Sequence, residues 1–279
     1  MTASDTHWID FNRDADTGIE SLRAHFRGHA YDPHFHDDYS IGYTEQGVQQ
    51  FRCRRQVQRS TPGNAFLLEP GEVHDGEAPQ QDGFTYRILY LPRDWVHGQL
   101  AGLFDTLPDQ FEWHVDATLS TDRRLIGSIA ASFLAVHQNE ARIVRDACLD
   151  QMLIQATGHL HWRRRDSEAR QPLLAERARS YLHAHADEDI GLSEMAQALG
   201  TDRFRLSRAF KAAYGLAPHA YLIQWRLTQA RRLLALGQTP AQVAADLGFA
   251  DQSHLGRWFR RAYQLTPADY RRRCTGLPD

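Results

Sequence analysis

The sequence predicts an α+β multidomain protein, with a strand-rich N-terminal part and an all-helical C-terminal module. Three observations carry this. Up to about residue 115, aromatic and β-branched residues are interrupted by turn signals at Asp32-Pro33, Glu45-Gln46-Gly47, Thr61-Pro62-Gly63, Glu69-Pro70-Gly71 and Gln81-Asp82-Gly83. Many short strands with regular turns suggest a sandwich or barrel. From about residue 121 the apolar spacing becomes helical. The last hundred or so residues then repeat themselves, Phe210 corresponding to Phe259 at an offset of 259 − 210 = 49.

The first 120 residues are expected to form one strand-built domain. In residues 121–163, Leu125, Ile126, Ile129, Phe133 and Leu134 recur at helical spacing, followed by Ile143, Val144, Ala147, Leu149, Leu153 and Ile154. Two such stripes either cap the strand domain or dimerise the protein, and a homodimer is expected. Residues 164–172 are polar and end in Pro172, which marks a linker. Residues 173–273 complete the chain as a helical module punctuated by Gly and Pro. At 279 residues there is room for roughly two domains of about 100–200 residues each.

Composition excludes several classes. Hydrophobic residues make up 42% and charged residues 24%, as in globular proteins. No apolar run approaches the ~18 residues of a membrane span, and the polar start lacks the pattern of a signal peptide. The three cysteines, Cys53, Cys148 and Cys274, are far apart and odd in number. They fit a reducing, cytoplasmic compartment better than a disulfide scaffold. The net charge of −3 is segregated: residues 173–273 hold 15 basic and 9 acidic side chains, a balance of +6. The rest holds 32 − 15 = 17 basic and 35 − 9 = 26 acidic, a balance of −9. A basic module on an acidic body is expected where only that module meets phosphate.

Each repeat reads as a helix-turn-helix. The first unit begins at Leu192-Ser193-Glu194-Met195-Ala196 and turns at Gly200; the second begins at Thr239-Pro240 and turns at Gly248. Ala196 and Ala244 allow close helix approach. Ser193 and Thr239 are expected as N-caps. In each second helix, Leu206 with Phe210 and Leu255 with Phe259 lie four apart and form the buried face. The opposite faces carry Arg203, Arg205, Ser207 and Arg208, and Gln252, Ser253, His254 and Arg257. Arg and Gln hydrogen-bond guanine and adenine edges in the major groove. Double-stranded DNA is therefore the expected partner.

Residues 173–273 resemble the AraC/XylS family of transcription regulators. The resemblance lies in Arg208-Ala209-Phe210-Lys211, Gly215-Leu216-Ala217-Pro218, Gly248-Phe249-Ala250-Asp251-Gln252-Ser253-His254 and Leu265-Thr266-Pro267-Ala268-Asp269-Tyr270. It implies a seven-helix module in which one long helix, about 218–236, holds two recognition helices. By this likeness Arg203, Phe204, Ser207 and Arg208 meet DNA from the first unit, and Gln252, Ser253, His254 and Arg257 from the second. Gly256 departs from the family pattern, where a side chain is common. Arg226, Arg231, Arg232 and Arg271–Arg273 are expected as phosphate contacts or solvated charge.

The N-terminal run Pro33-His34-Phe35-His36 places two histidines on one strand face, and Pro70-Gly71-Glu72-Val73-His74 adds a third. These segments resemble the two cupin motifs and imply a cupin-like β-barrel that binds a small-molecule effector. Three imidazoles would suit a divalent transition metal, zinc first. Direct effector contacts and structural histidines are the alternatives. Ser40 stands where cupins place a glutamate ligand, leaving Glu45 or Glu72 as the fourth-ligand candidates. Tyr39, Tyr43, Phe66 and Tyr86, with Phe51 and Tyr90, are the candidate effector pocket, and Arg52, Arg54 and Arg87 are weaker candidates for an anionic effector.

The resulting expectation is a sequence-specific DNA-binding transcription regulator, not an enzyme, controlled by an effector or metal in the barrel. It would meet RNA polymerase if it activates. A metal-dependent cupin enzyme and a constitutive DNA-binding protein are the rivals from other classes.

Overall fold

The computed structural model describes residues 7–103, 111–164 and 173–276. The chain falls into two compact units, residues 1–166 and 167–279. The expected linker at 164–172 lies at this division, and its residues 165–172 are outside the described residues.

The first unit begins with nine strands: β1 (Trp8–Arg13), β2 (Glu20–Phe26), β3 (His29–His34), β4 (Tyr39–Gly47), β5 (Gln49–Cys53), β6 (Gln56–Ser60), β7 (Ala65–Leu68), β8 (His74–Glu77) and β9 (Phe84–Leu91). There follow α1 (Arg93–Leu103), β10 (Phe111–Val115), β11 (Leu119–Ser120), α2 (Arg123–His137), α3 (Arg142–Thr157) and β12 (Leu160–Arg164). One sheet has the order β1-β2-β9-β4-β7-β11 and another β3-β8-β5-β6, while β10 and β12 form a separate two-stranded ribbon.

Strand alternation gives the larger sheet two distinct faces. Ile41, Leu67, Leu89 and Leu91 point to the helices and share one core with Val96, Leu100, Leu125, Ile129, Phe133, Leu149 and Met152. The first apolar stripe of residues 121–163 is therefore largely spent on the sheet, whereas the second buries Leu149 and Leu153 and leaves Ile143, Val144 and Ile154 exposed. On α2, Leu125, Ile129, Phe133 and Val136 are at most 1% exposed, each worth about 1.5–3 kcal/mol of burial. Asp122 caps this helix by accepting from the Arg124 amide at 2.8 Å.

The other face of the same sheet meets the four-stranded sheet. Phe26 and Tyr31 pack edge-on at 6.0 Å between ring centres, Phe51 and Phe66 at 6.4 Å, and Thr44 donates to Ser60 Oγ at 2.7 Å. Gly42 is required here, since a Cβ would lie 2.3 Å from the Arg87 carbonyl and 2.6 Å from the Phe66 ring.

The second unit has seven described helices: α4 (Leu174–Ala184), α5 (Leu192–Ala198), α6 (Arg203–Tyr214), α7 (Pro218–Ala235), α8 (Pro240–Asp246), α9 (Gln252–Tyr263) and α10 (Pro267–Thr275). Thr239 caps α8 in a reciprocal capping box with Gln242. The expected cap at Ser193 is not formed. Helix α5 starts at Leu192, so Ser193 already lies inside it, and Gly191 is the N-cap without a side-chain bond.

The charge reading of α7 also needs correction. Arg226 is buried and donates to three backbone carbonyls, Ala186 at 2.6 Å, Gly248 at 2.6 Å and Glu188 at 2.8 Å. Burial lowers its pKa from the ordinary arginine value. Arg231 is buried against the Tyr263 ring, and Arg271 is buried and donates to the Gly237 carbonyl at 3.0 Å. None of the three is a surface phosphate contact; Arg232, Arg272 and Arg273 remain exposed. Gly248 sits at φ +69°, and a Cβ there would lie 2.4 Å from the Asp187 carbonyl.

Arg226 thus fastens the chain before α5 to the turn between α8 and α9. Arg226→Ala leaves three carbonyls without this donor and should destabilise the second unit by about 3 kcal/mol. Urea unfolding of the full chain should show a lower midpoint for that transition. An unchanged midpoint would contradict the role assigned to Arg226.

Candidate nucleic-acid interface and histidine site

Helices α6 and α9 have equal length and the same 49-residue offset as the sequence repeat, 252 − 203 = 49. Their positions therefore correspond one to one: Arg203 with Gln252, Phe204 with Ser253, Ser207 with Gly256, and Arg208 with Arg257. Leu206, Phe210, Leu255 and Phe259 are completely buried, so the opposite faces are directed outward.

Both N-termini are capped by aspartate. Asp202 accepts from Phe204 and Arg205 amides at 2.9 Å. Asp251 accepts from the His254 amide at 2.6 Å. The caps fix the first turns, where recognition helices contact bases. Hydrogen bonds from the Arg205 and Phe204 amides, with Arg208 nearby, hold the Asp202 carboxyl below its ordinary pKa.

Arg203, Phe204, Arg208, Gln252, Ser253 and Arg257 are exposed, and Ser207 is half-buried. Phe204 is 61% exposed, so it is not a core residue; the Arg203 guanidinium lies 4.8 Å from its ring centre. His254 differs from the rest. Its Nε2 accepts from Trp258 Nε1 at 2.9 Å, and its Nδ1 lies 3.3 Å from the Ala250 amide nitrogen. The ring is folded back on its own helix, which makes His254 a support of the face. At Gly256 a Cβ would meet nothing within 4 Å, so the face has a gap that the fold does not require.

In the first unit, His34, His36 and His74 are buried and offer ligand nitrogens within 4.8 Å of one another. Strand alternation is only part of the reason. Strand β3 ends at His34, directly opposite His74 on β8, and its register shifts twice on the way. His36 lies beyond the strand and is held by the turn from β7 to β8, whose Gly71 amide donates to the His36 carbonyl at 2.7 Å.

The tautomers follow from the backbone. His34 Nδ1 donates to the Asp32 carbonyl at 2.8 Å and His74 Nδ1 to the Glu72 carbonyl at 2.9 Å. Each Nε2 is then left to accept. Burial lowers the His74 pKa and keeps the ring neutral, the form that binds metal. His34 and His36 Nε2 are 3.1 Å apart, close to the ~3.3 Å expected for two nitrogens on one tetrahedral zinc. Outer hydrogen bonds to backbone carbonyls are also the usual way of orienting metal-bound histidines. The donor set fits a divalent transition metal.

Neither candidate fourth ligand joins the cluster. Glu45 points outward and pairs with Arg23 at 2.8 Å and Arg87 at 3.1 Å. A bulge between Thr44 and Gln46 interrupts the register at this point. The Arg23 hydrogen bond, with Arg87 beside it, holds the Glu45 pKa below the ordinary range. The Glu72 carboxylate binds Arg54 and the Glu69 amide.

The effector-pocket candidates divide by strand parity. Phe66 and Tyr86 face the interior, 6.1 Å apart. Tyr39 and Tyr43 share a face with Ile41 and pack on the helix-side core, so they do not line the interior. Arg87 likewise faces outward over the Phe133 ring. Tyr90, a further candidate from the sequence, does line it, as do Tyr31 and Gln49, which the sequence reading did not single out. Tyr31 stacks edge-on against His34 at 5.1 Å, and Gln49 donates to its hydroxyl at 2.9 Å. Tyr90, one residue over from the outward-facing Leu89, lies 4.7 Å from His36. Burial raises the Tyr86 pKa well above normal, which keeps the phenol neutral. The side-chain oxygens of Ser40 and Gln49 are buried and make no hydrogen bond among the described residues. Alternation along β5, where Phe51 meets Phe66, could have indicated Gln49.

Comparison with known proteins finds two families. The family described as an AraC-like ligand binding domain matches residues 16–170, and a helix-turn-helix domain family matches residues 195–273. An uncharacterised helix-turn-helix-type transcriptional regulator of Bacillus subtilis is 27% identical over 244 residues, 85% of this chain and 86% of the relative. The arabinose operon regulatory protein of Salmonella typhimurium is 25% identical over 243 residues, 84% of this chain and 80% of that protein. Among solved structures, ToxT from Vibrio cholerae with bound unsaturated fatty acid has a similar fold, with a TM-score of 0.56 at 14% identity and full coverage of both chains.

Proposed function

The chain belongs to the AraC-like ligand-binding family, and from that premise we propose that an occupant of the histidine-lined interior controls DNA binding by α6 and α9. The chain is an AraC-type DNA-binding transcription regulator with an N-terminal ligand-binding domain. The observation that carries the control is the buried cluster of His34, His36 and His74, held at the four-stranded sheet and facing Tyr90 on the inner face of the six-stranded sheet, whose outer face is closed by helices.

Arg203, Phe204, Ser207 and Arg208 form one reading surface, and Gln252, Ser253 and Arg257 the other. Arg208 and Arg257 occupy equivalent positions and are the guanine readers. The side chains flanking them differ, so each subunit reads an asymmetric site.

The three histidines would hold zinc or a related divalent ion, which would supply a positive charge within the interior. A small molecule is the second kind of occupant. ToxT holds an unsaturated fatty acid, and an acid of that kind would need a cation here. The arginines considered for this role do not supply one, since Arg87 pairs with Glu45, Arg54 with Glu69 and Glu72, and Arg52 with Asp75. The buried Ser40 and Gln49 oxygens are the polar groups left to orient it.

The division of labour is ligand binding in residues 1–120, dimerisation by 121–163, a linker at 164–172 and DNA binding in 173–273. Leu134, Ile143, Val144 and Ile154 remain exposed on α2 and α3, with Ile143 at 79%, and are the surface left for a second copy. RNA polymerase would be the further partner of an activator. The relatives are named as regulators, which supports regulation rather than catalysis. No described helix is long and apolar enough to cross a membrane; the cytoplasm is the compartment this role requires.

Two experiments test these assignments. Arg208→Ala and Arg257→Ala should each relax sequence preference by about 1–3 kcal/mol per lost bidentate contact, read by selection from random duplexes. Wild-type preference in both variants would refute the reading faces. Equilibrium dialysis should show zinc bound by the wild-type chain, with affinity lowered about tenfold or more by His74→Ala and abolished when all three histidines are Ala. A wild-type chain that takes up no zinc would refute the metal reading.

A further inference from the structure

We infer that the turn Glu69–Glu72, locked by Arg54, transmits occupancy of the histidine site to the β10–β12 ribbon at the end of the first unit. This rests on the reading of the histidines as a binding site.

The turn grips two of the three histidines through its backbone. The Gly71 amide holds the His36 carbonyl at 2.7 Å, and the Glu72 carbonyl accepts from His74 Nδ1 at 2.9 Å. A ligand that draws the two rings together must therefore pull on two adjacent residues, Gly71 and Glu72, of one short turn.

The same turn is tied on its other side to β10. The Glu72 carboxylate pairs with Arg54 Nε and accepts from the Glu69 amide at 3.0 Å. Arg54 also pairs with Glu69 and donates through Nη1 to the Val115 carbonyl at 2.8 Å. Glu69 accepts from the Val115 amide at 2.8 Å and meets His114 Nδ1 at 3.0 Å. Arg54 and Glu69 thus clamp both backbone groups of Val115, and Glu72 holds Arg54 in place. Arg54 stands at φ 51° and its neighbour Arg55 at φ 64°. That hairpin conformation normally takes Asn or Gly, and an arginine held there marks a specific use of its side chain.

Strand β10 belongs to neither large sheet. It pairs with β12 alone, Val115 opposite Leu160 and His114 opposite His161. Strand β12 ends at Arg164, from which the chain runs through residues 165–172 to the DNA-binding unit. A change at the turn therefore has a route of direct hydrogen bonds to the last strand before the linker, and through Trp113 and Val115 of β10 to the core shared with the helices.

The test is hydrogen exchange of the full-length protein with and without zinc, read on peptides covering 111–116 and 160–164 and on those covering β3 and β8. In the wild type, zinc should slow exchange in both regions, by about fivefold or more in the ribbon. In Arg54→Ala, zinc affinity and the response of β3 and β8 should persist while the ribbon response falls below about twofold. Arg54→Lys keeps the charge but cannot reach both glutamates and Val115 together, and should also lose the ribbon response. A full ribbon response in both variants would overturn the coupling alone, as would a wild-type response confined to β3 and β8. If the wild type takes up no zinc, the site reading and the coupling fall together.

Discussion

Every strand of the six-stranded sheet has to satisfy two environments at once, because successive side chains point to opposite faces. One face is apolar and closed by α1, α2 and α3 around Ile129, Phe133 and Met152. That packing leaves the other face free to be polar and aromatic. Tyr86 and Tyr90 on that face can meet the histidines, Tyr31 and Gln49 from the four-stranded side because the stability of the unit is supplied by the helix-covered face. A shift of one residue would exchange the two sets, bringing Ile41 and Leu89 inside and turning Ser40 and Tyr90 toward the helices.

The DNA-binding unit is subject to a different constraint. Helices α6 and α9 must project polar faces while their own cores stay small, so each is held by a pair of buried residues and an aspartate cap. Helix α7 carries both halves, and almost all of its residues from Tyr221 to Leu234 are buried or half-buried. Its arginines at 226 and 231 are then interior donors and ring partners, and the net basic charge of the module overstates what it offers to phosphate. The charge that is left on the surface lies mainly on the two reading helices and α10.

The repeat was the most legible feature because it is independent of any local propensity. Two copies at one spacing predicted two helices of equal length, and the buried pairs Leu206–Phe210 and Leu255–Phe259 followed from helical spacing. The three histidines were also legible, although by a route that was partly accidental. Alternation from His34 to His36 gave the correct convergence, yet His36 lies past the strand end and is placed by the Gly71 amide. Where sequence reading failed, it lacked an anchor for strand parity. Tyr39 and Tyr43 look like pocket residues until Ile41 is known to face the helices. Glu45 is itself the bulged residue between Thr44 and Gln46, which no pattern announces. Arg226 looked solvated because a charged residue in a helix is usually exposed, and only the three carbonyls around it show otherwise.

Control of DNA binding from the histidine-lined interior is the central claim. It is tested most directly by the affinity of the full-length protein for its selected duplex, measured at fixed salt in a chelator and then with zinc. Differential occupancy of two arrangements predicts an affinity change of about fivefold or more, lost when His34, His36 and His74 are all Ala. Equal affinity in chelator and zinc, by a protein that demonstrably holds the metal, would contradict it and leave the interior as a structural scaffold.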